Sequence, residues 1–185
     1  FCFGKDRAGD ADALKALGQQ YGVAVKIADA VNLDDASGKI SSTNVRNALR
    51  EGDVKTAAAL LDRPFAIEGE VSKGDQRGRL LGFPTANIAL GDYLRPKFGV
   101  YAVRAHLPSG RTVPGVANLG SRPTVNGTEA RLEAHLFDFS GDLYGQVLEV
   151  ELIDFIRPEQ KFDGLDALKA QIAADSATAR EILGV

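Results

Sequence analysis

The chain has 185 residues, enough for one domain or two small ones. Its 44% hydrophobic and 25% charged residues are the balance of an ordinary globular protein. A net charge of −3 gives no general attraction to nucleic acid or to an anionic membrane, so any phosphate binding has to be local. Cys2 is the single cysteine; this excludes an internal disulfide and fits a reducing, cytoplasmic setting. No apolar run approaches the roughly 18–20 residues that span a bilayer, and no signal peptide is visible. The first residue is Phe1, in what reads as the middle of an element, so a fragment is expected.

Residues 1–63 read as α/β or helical. Asp10 can cap a helix carrying Leu14 and Leu17 that ends near Gly18 or Gly22. The apolar run Val23 to Ile27 predicts a short strand, and Asp34 to Lys39 a polar loop. Ser41, Ser42 and Thr43 precede a helical pattern of Val45, Ala48 and Leu49 that stops at Gly52. Asp53 can cap the next helix, with Val54, Ala57, Leu60 and Leu61, which Arg63-Pro64 ends. This portion is too small and too open-ended to close a core alone.

From Phe65 the period changes from helical to alternating. Ile67, Gly69 and Val71 alternate with Glu68, Glu70 and Ser72; Tyr101, Val103, Ala105 and Leu107 alternate with Arg104 and His106. Leu132, Ala134 and Leu136 alternate with Arg131, Glu133 and His135, and Leu148, Val150 and Leu152 with Glu149 and Glu151. About six short strands bounded by Gly, Pro, Asn or Asp predict a closed antiparallel barrel. After Phe162 the helical period returns. Asp163 can cap a helix with Asp166 in its first turn, and Leu165, Leu168, Ile172, Ala179 and Ile182 form a stripe to lay on the barrel.

The stretch Gly74 to Asn87 carries three spaced glycines with Arg77 and Arg79 between them, a loop able to present backbone N–H groups to phosphate. Pro84 then leads into an extended segment in which Thr85 and Asn87 share a face. A hydroxyl and an amide oxygen side by side suit a hard cation such as Mg²⁺ that already carries phosphate oxygens. Spacing alone favours a surface turn with solvated arginines, since there is no Walker Gly-Lys-Ser/Thr. Glu133 is a candidate general base if its face borders this loop; otherwise it is a solvent-facing strand residue paired with Arg131. His135 reads as a polar-face residue, His106 has no evident partner, and no zinc-like spacing is present. Asp138 to Gly145 reads as a turn whose Tyr144 can face a purine. Arg157 to Asp163 combines cations with the Phe162 ring, which suits a flat, polar-edged ligand or simply staples the last helix.

Taken together these residues resemble the riboflavin kinase family. The matching stretches, in family order over residues 65–183, are Gly82-Phe83-Pro84-Thr85-Ala86-Asn87, Gly99-Val100-Tyr101, Pro114 to Gly120, Arg122-Pro123-Thr124, Leu132-Glu133-Ala134-His135, Gly141 to Gly145, and Arg157 to Asp163. The N-terminal part is similar to the FMN adenylyltransferase domain that precedes this domain in bacterial FAD synthetases. Phe1 to Lys5 with Arg7, Gly9 and Asp10 resembles its middle, and Ile40-Ser41-Ser42-Thr43 with Arg46 its late nucleotide motif. The early His-x-Gly-His motif is absent from this stretch, so it is not expected to adenylate FMN, whereas a whole parent is.

The resemblance implies a six-stranded antiparallel Greek-key barrel with a C-terminal helix over residues 64–185, preceded by a Rossmann-like adenylyltransferase remnant over 1–63. It implies transfer of the ATP γ-phosphoryl group to the terminal ribityl hydroxyl of riboflavin, giving FMN. By position, Thr85 and Asn87 would hold Mg²⁺ and the ATP phosphates, and Glu133 would be the base. Gly74 and Arg79 would line the phosphate loop, Tyr144 would lie beside the nucleotide, and Arg157 and Phe162 would border the flavin. The rival readings are a flavin- or nucleotide-binding barrel without catalysis, and an oligonucleotide-binding barrel, against which the acidic balance counts.

Overall fold

Alternation of apolar and polar residues puts one row of each strand into a shared interior, and the strands form where that row is unbroken. A computed structural model describes residues 2–29, 40–74, 78, 82–124 and 127–185. The strands among these are β1 (Phe65–Ser72), β2 (Ala86–Ala89), β3 (Gly99–His106), β4 (Thr112–Thr124), β5 (Gly127–Leu136) and β6 (Val147–Pro158). They close into an antiparallel barrel in the order β1-β2-β5-β4-β3-β6. β6 returns beside β3 after the β3-β4-β5 meander, a Greek key, and β1 pairs with β6 to complete the closure. Ile67, Ile88, Val103, Leu119, Leu132 and Leu148 fill the interior and are fully buried. Tyr101 joins them. Its hydroxyl donates to the Lys97 carbonyl, and burial pushes the phenol well above its ordinary range.

The N-terminal helices are α1 (Ala11–Tyr21), α2 (Ser42–Glu51) and α3 (Val54–Leu61). Their starts follow the sequence. The Asp10, Ser41 and Asp53 side chains accept from the backbone N–H three residues on, at 2.9, 3.2 and 3.0 Å. α1 runs past Gly18 to a left-handed cap at Gly22. Beyond it the expected strand at Val23 to Ile27 is not formed. The segment has no pairing partner among the described residues, and Val23 and Ile27 are exposed. The polar loop expected at 34–39 lies outside the described residues. α2 and α3 do not stand apart from the barrel: Ala48, Leu49, Val54 and Ala57 are buried in the same cluster as the barrel interior. Lys97 N–H also donates to the Leu49 carbonyl at 2.9 Å.

The last helix, α4 (Leu165–Leu183), lies on β3 and β4. Val100, Ala102 and Val116 face outward there and are buried under Ala179 and Leu183. Two sequence expectations change. The residue before the helix is Gly164, with no side-chain cap, so Asp163 does not cap it. Leu165 and Ile182 are exposed, and the inward row is Leu168, Ile172, Asp175, Ala179 and Leu183. Leu168, Ile172 and Ala179 lie on this row as expected; Asp175 joins it because Arg157 pairs its charge, and a hydrophobic-period reading skips an acid.

Candidate active site

Pro84 has no N–H, so pairing of β2 starts only at Ala86 and Thr85 is left at the strand's mouth. Ala86 and Ile88 point inward; Asn87 points outward yet is only 6% exposed. The chain at Gly74 lies across it. A Cβ added to Gly74 would fall 2.5 Å from Asn87 Oδ1, so only glycine permits this approach. Asn87 Nδ2 donates to Thr85 O at 3.3 Å and Thr85 Oγ1 at 3.4 Å, which joins the two side chains. Among the described residues no group of three His, Cys, Asp or Glu could hold a metal. The Thr85 hydroxyl and the Asn87 amide oxygen are neutral hard donors, and they fit a divalent ion whose remaining ligands are phosphate oxygens and water.

These residues wall a cavity of about 640 Å³ with Val71, Leu143 and Tyr144. The 138–145 turn is hooked onto the barrel by Gly145 N–H, which donates to the Val71 carbonyl at 3.0 Å. Within it, Asp142 accepts from Tyr144 N–H at 3.0 Å, and Lys73 Nζ stands 5.8 Å from the Tyr144 ring. Gly74 thus borders this cavity, as Tyr144 does. Arg79 lies outside the described residues.

A second cavity of about 270 Å³ opens on the outer face, between the barrel wall and α4. Thr85, Asn118, Glu133, His135, Arg157 and Phe162 line it. Asn87, Glu133 and Asn118 are register partners on β2, β5 and β4, a polar row across three strands. Glu133 is exposed to this cavity, while Arg131 is bonded to Glu129 at 2.7 Å. His135 accounts for part of the geometry. Its Nδ1 lies 2.9 Å from the Pro84 carbonyl and its ring meets Phe83 edge-on, so β5 pins the segment that presents Thr85. His106, partnerless in the sequence, sits 2.9 Å from Thr112 Oγ1 and 3.2 Å from Glu151, away from both cavities.

Arg157 lies at the end of β6, not in the loop that follows, and its guanidinium is already engaged. Nε and Nη2 donate to Asp175 at 2.7–3.1 Å, Nη1 donates to the Pro158 carbonyl at 2.9 Å, and the Phe162 ring lies 5.6 Å away. Three contributors carry no sequence-based role: Asp175, Asn118, and Glu159, which lines the smaller cavity and whose Oε1 accepts from Asn118 Nδ2 at 3.4 Å. The legible signal for Asp175 was an acid at a core position of a helical period; Asn118 could be found only through the register that sets it beside Glu133.

Thr85 borders both cavities. Neutral oxygen donors on one side and a carboxylate on the other are the donor set that phosphoryl transfer to a small molecule calls for. A family model described as Flavokinase, riboflavin kinase, matches residues 61–183. The chain belongs to the riboflavin kinase family, whose reaction is the phosphorylation of riboflavin to FMN. It is 46% identical over its whole length to a bifunctional riboflavin kinase/FMN adenylyltransferase of Escherichia coli K12. It is 48% identical over 183 residues, 98% of the chain, to the protein of that name from Pseudomonas fluorescens. In both cases it spans 58% of the relative's length. A crystal structure from Streptococcus pneumoniae, titled a macrolide-efflux protein, superposes with a TM-score of 0.81 at 39% identity, covering 97% of this chain and 57% of that one. That likeness contributes the fold alone. No described helix is long and apolar enough to cross a membrane.

Proposed function

We propose that ATP occupies the larger cavity and riboflavin the smaller one, and that the reaction passes between them at Thr85. Thr85 and Asn87 hold Mg²⁺ with the ATP phosphates. When bound, that ion offsets charge on the phosphate oxygens. Glu133 accepts the proton of the terminal ribityl hydroxyl as its oxygen forms a bond to the γ-phosphorus. The bond from that phosphorus to the β,γ-bridging oxygen breaks, and ADP departs with the electron pair. Phosphoryl transfer asks mainly for alignment and charge neutralisation, which these side chains supply without a covalent intermediate. Gly74 and Arg79 line the phosphates, Tyr144 lies beside the nucleotide, and Arg157 with Phe162 borders the flavin.

The observation that carries this reading is the register of Asn87 with Glu133, with Thr85 shared by both cavities. The test incubates the protein with riboflavin and Mg-ATP and separates the flavins by chromatography. FMN accumulation with matching ADP is expected; unchanged riboflavin would overturn the reading. Residues 1–63 belong, on this reading, to an adenylyltransferase domain of a longer cytoplasmic parent that converts FMN to FAD. FMN added to the same tube should therefore stay unadenylated with this stretch alone.

A further inference from the structure

Asp175 is a carboxylate only 4% exposed, on the inner face of α4 in the same row as Ala179 and Leu183. Burying a charge there costs stability unless it is fully paired, and an apolar residue would close the same helix–barrel contact at no such cost. The pairing is complete. Arg157 meets both Asp175 oxygens, and Gln171 Nε2 donates to Oδ1 at 2.9 Å. The guanidinium is then fixed as a plane, with its remaining nitrogen on the Pro158 carbonyl. Phe162 faces that plane from a segment with no helix or strand of its own. All three side chains line the smaller cavity.

We propose that Asp175 is a positioning residue for the flavin side of the site. It acts through Arg157 to hold the Phe162 ring at the cavity wall, and so sets the affinity for a flat, polar-edged ring. It does nothing for ATP, whose cavity it does not border. This rests on the assignment of riboflavin to the smaller cavity. Losing the carboxylate frees the guanidinium, and the ring then loses its support.

The test compares the full chain with Asp175→Asn, Phe162→Ala and the double variant. Riboflavin Kd is read by quenching of flavin fluorescence, alongside the KM of each substrate, kcat and the thermal midpoint. Asp175→Asn is expected to raise riboflavin Kd about tenfold while the ATP KM stays within about twofold. The double variant should bind riboflavin no worse than Phe162→Ala alone, because the carboxylate works through that ring. Additive losses, or an equal rise in both KM values, would overturn the proposal and leave Asp175 a structural residue. If Asp175→Asn does not fold, Gln171→Ala removes one bond to the same carboxylate. A rise of about threefold in riboflavin Kd would then support the proposal, and an unchanged Kd would overturn it. Failure of the original chain to bind riboflavin would instead sink the cavity assignment itself, and this proposal with it.

Discussion

The two cavities are built by different means. The larger one is made of close backbone approach and small neutral side chains: Gly74 against Asn87, Thr85 beside it, and a turn hooked on by Gly145. The smaller one is walled by long charged and aromatic side chains whose positions depend on one another, Arg157 on Asp175 and Phe162 on Arg157. The contrast suits the ligands proposed for them. Phosphates are recognised by short, directional donors and a cation, which need little volume and tight spacing. A flat ring needs area, which only large side chains or a helix face can supply. Changes on the first side should therefore read out in ATP and metal, and changes on the second in riboflavin.

Glu133 lines the smaller cavity in register with Asn87, and its removal should have the largest effect. Glu133→Gln is expected to lower kcat by roughly 10²–10⁴ with little change in nucleotide affinity, measured in steady state with both substrates varied. A variant turning over at the parent rate would remove the base from the scheme. Asn87→Ala comes next. The Mg²⁺ concentration for half-maximal activity should rise about tenfold, the scale of one lost ligand contact, with riboflavin binding unchanged. An unshifted metal titration would take Asn87 out of the metal site. Gly74→Ala pushes a methyl group into the Asn87 amide, and the ATP KM should rise about fivefold while riboflavin KM holds. If riboflavin KM moved equally, the division of labour between the cavities would fail.

The smallest effect is a control far from both cavities. Bonds from the Thr56 side chain and backbone hold the Asp53 carboxyl below its ordinary 3.8. A lowered folded-state pKa adds stability that is full above the unfolded value and lost as pH falls through the folded one. Asp53→Ala should thus cost about 1 kcal/mol in thermal or urea unfolding at neutral pH, a deficit that shrinks as pH falls below 3.8 and through the lower folded-state value, with neither KM altered.

Much of this was legible because it depends on neighbours in sequence. The caps at Asp10, Ser41 and Asp53 lie within three residues of the groups they satisfy. Alternation in Leu132 to Leu136 assigned the faces of β5, and so brought Glu133 outward with His135. The Pro84-Thr85-Ala86-Asn87 run declared its paired oxygen donors. What failed depended on contacts elsewhere. Val23 to Ile27 has the composition of a strand but no strand beside it among the described residues. Asp175 broke the helical stripe because its partner, Arg157, sits 18 residues away on another element.

The sequence by itself determined most of the element types and the closed barrel, and it nominated the residues proposed to bind phosphate, metal and a hydroxyl proton. Periodicity and side-chain chemistry are local properties, and they survive without coordinates. Only the tertiary structure decided that Thr85 borders two cavities, that Asn118 joins the row of Asn87 and Glu133, and that a buried ion pair underlies Phe162. Those facts depend on strand register and on where α4 settles. Both are set by the packing of distant apolar rows, which no short stretch of chain contains.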